Sequence, residues 1–184
     1  MKTIFVILLF FSFNIFAKTS KTIEQQIEEA SKLGLAYIMT NLYLKSSKYS
    51  FEKCKNEYAK YSSKKRNSIG DSINEMIYRN FLTEVFYEQY TDEEYGENVT
   101  KITLASMNKQ INNEFSYAKE QLDLEIEKRK LKKFCKESIK YIKSWKENSQ
   151  DASLQILRDI KKFNPNFKID NNRLDEKLAT QNDK

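Results

Sequence analysis

The chain has 184 residues, enough for one domain with extensions and too few for two of ordinary size. It carries 32 Lys and Arg against 26 Asp and Glu, with three Gly, one Pro and no His. So few turn formers exclude sandwiches, barrels and Gly-rich nucleotide loops, and the lack of His excludes a catalytic triad, a His-metal site and a His-driven pH switch.

In chain order, residues 1–17 read as a leader. Lys2 gives a positive start, Thr3 to Phe16 is almost wholly apolar, and Ala17 precedes the polar KTSKT run. That is the layout of a secretory signal peptide cleaved after Ala17. The stretch is shorter than the roughly 20 residues that span a bilayer, and Asn14 sits inside it. No long apolar run recurs after Lys18. The expectation is an exported protein, periplasmic or secreted, that is not an integral membrane protein after cleavage.

The mature part is expected to be one helical domain over residues 18–164. Ile23, Ile27, Ala30, Gly34, Tyr37 and Ile38, extended by Leu42 and Leu44, form the stripe of a first helix from Thr22 to Ser46. A second holds Phe51 to Tyr61 and ends in the polar stretch at 62–68. Phe51, Cys54, Tyr58 and Tyr61 share its face. Ser68 and Asp71 then resemble a helix start, and Ile69, Ile73, Met76, Ile77, Phe81, Leu82, Val85 and Phe86 crowd more than half of a third helix. The segment TDEEYGENVT at 91–100 reads as the main loop.

From Lys101 to Asn164 there is neither Gly nor Pro. The stripe Leu104, Met107, Ile111, Phe115, Ala118, Leu122, Ile126 slips across residues 127–133 and resumes at Leu131, Phe134, Cys135, Ile139, Ile142 and Trp145. One long helix with a phase slip and two helices with a tight turn both fit. A last helix runs from Ser149 to Phe163 and stops at Asn164-Pro165. The tail over 165–184 is polar and expected to be mostly disordered, with at most a weak turn around Leu174 and Leu178. The fold class is all-α, a single bundle of five or six helices. Export favours oxidised thiols, so Cys54 and Cys135 are expected to form one disulfide stapling an early helix to a late one.

Charge is unevenly placed. Residues 84–97 hold six acids and no base, a net of −6, whereas 127–146 hold nine bases and two acids, a net of +7. Partial neutralisation of one segment by the other is the plain expectation; the sharper one is a contact surface made by Lys128, Arg129, Lys132, Lys136, Lys140 and Lys143. No catalytic, cofactor-binding or metal-binding set is expected: the acids Asp92, Glu93, Glu94 and Glu97 lie in a polar loop where nothing raises one pKa, and they lack the calcium-loop spacing. Asn98 opens a glycosylation sequon that matters only in a eukaryotic source. Export argues against nucleic acid despite the basic charge and many tyrosines.

The plan of leader, helical domain and one disulfide is similar to that of periplasmic acid-stress chaperones and of helical immunity proteins, with no motif of either matched. The reading is therefore a non-enzymatic helical protein that binds a specific, acidic protein partner as an inhibitor, immunity protein or secreted effector. Its alternative is a basic amphipathic helix that binds an anionic membrane surface or polymer.

Overall fold

The computed structural model describes residues 21–182, among which there are six helices and no strand. The expected leader at residues 1–17 therefore lies outside the described residues. Helix α1 (Ile23–Leu33) opens with a reciprocal cap: the Gln25 amide donates to the Thr22 hydroxyl and the Thr22 amide donates to the Gln25 side chain. Helix α2 (Leu35–Tyr58) follows after a single residue. The chain was expected to break between Ser46 and Phe51; it breaks at Gly34 instead. Gly34 is buried, and a Cβ added there would lie 2.0 Å from the Met107 sulfur, so the missing side chain lets this junction approach the next layer closely. Ser46, Ser47 and Ser50, which resemble linker residues in sequence, are buried small side chains inside α2.

Helix α3 (Ser63–Tyr95) absorbs the polar stretch expected to precede it. Arg66 makes this compatible with a tight α2–α3 turn by donating to the carbonyls of Ala59 and Tyr61 at 3.2 and 2.7 Å. The expected loop at 91–100 contracts to Gly96 alone, at φ 90°, a region open to glycine and costly for other residues. Thr91 and Thr100 on either side are buried, with the Thr100 hydroxyl donating to that of Thr91 at 2.9 Å. Helix α4 (Glu97–Arg129) and helix α5 (Leu131–Phe163) are separate, reversed by Lys130 alone at φ 63°. Helix α5 runs unbroken through the expected start at Ser149.

The tail differs most from expectation, since residues 171–182 form a helix, α6 (Asn171–Asn182), rather than disordered chain. Phe167 is buried in the core. The Gln89 side chain binds the backbone just before α6 from both sides, donating to the Lys168 carbonyl and accepting from the Asp170 amide. Arg173 and Lys177 then pair with Asp92, Glu84 and Glu88 of α3. The acidic segment read from sequence supplies the reason for the helix that covers it.

Helices α2 to α5 alternate in direction, so the bundle has two ends. At the Gly96 end the core joins Tyr37, Ile38, Tyr87, Met107, Ile111, Ile156 and Ile160, drawn from all four helices. At the Lys130 end the core joins Cys54, Tyr58, Ile69, Met76, Phe134, Cys135 and Ile142, and none of its fully buried members comes from α4. The Cys54–Cys135 disulfide lies here, with Cα atoms 5.4 Å apart and 81 residues between the partners.

Candidate functional site

The stripe of α4 explains the asymmetry. Thr103, Met107 and Ile111 are buried, and in the same helical phase Phe115, Ala118, Leu122 and Ile126 are only half-buried. The second half of α4 is held instead by polar props from α2. The Tyr49 hydroxyl bonds both oxygens of Asp123, at 2.6 and 2.8 Å, Lys53 pairs with the same carboxylate at 3.2 Å, and Lys45 donates to Asn112. The Tyr49 hydroxyl and Lys53 hold the Asp123 carboxyl below its usual pKa, while desolvation and Asp123 push the Tyr49 phenol up. Phe115, a core candidate by sequence, meets Tyr49 edge-on.

With only Leu122 and Ile126 against the edge of the core there, α4 touches α5 sparingly, and a groove of about 330 Å³ opens between them. Ala118 and Leu122 form one wall, Phe134, Tyr141 and Trp145 the other, and Ser46 contributes from α2. Tyr141 and Trp145 stack with ring centroids 6.0 Å apart. Leu122 and Trp145 look like core in the sequence because their spacing matches the buried stripe. A visible signal was the set of apolar residues off that stripe, Tyr117, Leu124 and Tyr141, all of which are exposed.

Lys128, Lys132, Lys136, Lys140 and Lys143 are exposed, as are Lys130 and Lys133, and none of the seven is in an ion pair or side-chain hydrogen bond among the described residues. Arg129 is different: it bridges Glu125 at 2.5 Å and Glu137 at 2.6 Å, tying α4 to α5 across the Lys130 turn. The pair with Glu137 raises its pKa. The acidic segment does not answer the lysines; α6 covers it at the other end of the bundle. Asn98 is exposed, but in the first turn of α4 rather than in a loop, and the hydroxyl of Thr100 in its sequon is engaged by Thr91 and the Gly96 carbonyl.

Beyond this basic face, no group of three or more metal-ligating side chains occurs among the described residues, and no described helix is long and apolar enough to cross a membrane. The fold and site thus define a disulfide-stapled helical bundle with a grooved, basic end. No protein-family model matches the chain, and no curated protein or solved structure is significantly similar to it.

Proposed function

We propose that this chain is an exported, non-enzymatic binding protein that holds an acidic protein partner on the lysine face around the Lys130 turn, in the manner of an inhibitor, immunity protein or secreted effector. The observation that carries the reading is the exposure of seven lysines without an internal counter-charge, in a molecule whose acidic segment has been given one by α6. Such a field steers an acidic partner and sets its orientation. Export rests on the leader pattern at residues 1–17 and accords with the disulfide. A membrane-surface role for α5 is disfavoured, because Phe134, Cys135, Ile139 and Ile142 are already buried in the bundle and one apolar face cannot also lie in lipid.

Reversing Lys132, Lys136, Lys140 and Lys143 to Glu tests the reading. Exposed charges contribute less than about 1 kcal/mol each, and these lysines have no internal partners to lose, so helicity by circular dichroism should be retained. The wild-type chain should recover one stoichiometric protein partner from its native source near physiological ionic strength, and the variant should not. A folded variant that still binds that partner, or binding confined to anionic vesicles and abolished by salt, would reject the proposal.

A further inference from the structure

The lysine face accounts for attraction but not for the groove beside it. We infer that the groove between α4 and α5 seats an amphipathic acidic helix of the partner, its apolar stripe on Ala118, Leu122, Tyr141 and Trp145 and its carboxylates toward the flanking lysines. The inference rests on the preceding reading of an acidic protein partner and adds the form of its contact.

Shape is the first argument. The α4 wall from Ala118 to Arg129 and the α5 wall from Phe134 to Trp145 each extend over about three helical turns, or roughly 17 Å. That length matches a helix docked through residues at i, i+4, i+7 and i+11. The half-buried stripe of α4 keeps the phase of its buried stripe, so this helix presents a packing face that its own bundle leaves incompletely covered. The walls also hold a Trp, a Tyr and an Arg, the residue types that dominate binding energy at interfaces.

Charge is the second. Lys133 and Lys140 directly precede Phe134 and Tyr141, which places them one step round α5 from the groove wall. Lys128 lies one step back from Arg129 on α4, and the spacing puts the α4 acids Glu120 and Glu127 on the side opposite Ala118 and Leu122. Glu125 in the α4 wall and Glu137 on α5 both pair with Arg129, which leaves a single uncompensated negative charge among the three, and exposed Glu114 lies one turn before Ala118 on the same face. A helix bearing acids beside its apolar stripe meets Lys128 on the α4 side and Lys133 and Lys140 on the α5 side, and is best matched when its carboxylates lie toward α5.

Location is the third. Lys21, where the described residues begin, pairs with Glu29 and lies over Tyr95 at the opposite end of the bundle, and α6 lies on Glu84, Glu88 and Asp92 of α3. Neither described terminus lies at the groove, so no described segment of the chain fills it, and the lysines flanking it argue for an acidic segment of another molecule.

Trp145, the chain's only Trp, reports occupancy directly. The probe is a synthetic peptide of about 18 residues, five turns of helix, with Leu at i, i+4, i+7 and i+11 and Glu and Ala elsewhere. It is compared with a scramble of the same composition and with phosphatidylglycerol vesicles. The amphipathic peptide should bind at least about tenfold more tightly than the scramble, shift Trp145 emission to the blue and shield it from acrylamide. Tyr141→Glu and Gln121→Glu, exposed substitutions on opposite walls, should each abolish the Trp145 response while leaving helicity unchanged.

Equal binding of both peptides with Trp145 silent would overturn the groove and leave the lysine-face reading standing. Failure of both peptides to bind would overturn the groove and count against the lysine face as well. A Trp145 shift with vesicles alone would assign the groove to lipid and overturn the inference. A response undiminished in both wall variants would also overturn it.

Discussion

The Gly96 end and the Lys130 end of the bundle are made from the same four long helices, yet they are held together by different means. At the Gly96 end each helix contributes buried apolar side chains, Tyr87 and Ile160 are fully buried, and the turn is made by a glycine at φ 90°. Tyr37 and Tyr87 are so desolvated there that both phenols are pushed up to about 12. At the Lys130 end α4 contributes no fully buried residue, a lysine occupies φ 63°, the lysines around it have no internal partner, and the disulfide crosses the core. The difference teaches that a covalent tie stands where one helix has withdrawn its packing. Departures from local preference collect beside the groove, as at sites shaped by more than stability.

Removing the tie tests this comparison with the largest effect. Cys54→Ala with Cys135→Ala opens a loop whose ends are 81 residues apart, and the chain-entropy model puts the cost at about 4–5 kcal/mol. Amide exchange should quicken first in Ile69–Met76 and Phe134–Ile142, while Tyr87 and Ile156–Ile160 keep more of their protection. Equal loss at both ends would break the comparison.

Exchanging the two turn residues has an intermediate effect. A side chain at positive φ costs about 1–2 kcal/mol, partly offset in a glycine variant by the entropy of the unfolded chain. Lys130→Gly should therefore raise stability by about 0.5–1 kcal/mol in chemical denaturation, and Gly96→Ala should lower it by about 1 kcal/mol. A neutral result at Lys130 would mean that this end carries no backbone strain.

The smallest effect is local and pH-dependent. Because the folded chain depresses the Asp123 pKa, its contribution is present above the unfolded value and is lost as pH falls through the folded one. Acidification below about pH 4 should loosen residues 112–129 before the first half of α4, measured by limited proteolysis or amide exchange. Asp123→Asn should remove that pH dependence. An α4 whose two halves loosen together would show that the Tyr49–Asp123–Lys53 prop does not hold it.

Helical class, a count of five or six helices and the Cys54–Cys135 pairing were all legible in the sequence. Scarcity of Gly and Pro and a persistent helical period are local properties, and two cysteines allow one pairing. Helix ends were less legible for a physical reason. Ser46 to Ser50 and residues 62–68 resemble linkers by propensity, but buried serines let α2 pack closely and Arg66 closes the α2–α3 turn. Composition also made residues 165–184 a tail, whereas Gln89 and the acids of α3, far away in sequence, order its described part.

The site divides in the same way. The sequence by itself determined that lysines concentrate at 127–146 and acids at 84–97, because charge is a property of composition along the chain. Which charges are satisfied was decided by tertiary structure, since α6 reaches the acids, Arg129 is occupied by Glu125 and Glu137, and the remaining lysines around the turn face solvent. The groove too was decided in three dimensions. Leu122 and Trp145 carry the spacing of core residues, and only the position of α4, tied to α2 by Tyr49 and Lys53, leaves them at a surface. Periodicity specifies which face of a helix is apolar, but whether a neighbour covers that face depends on where the other helices go.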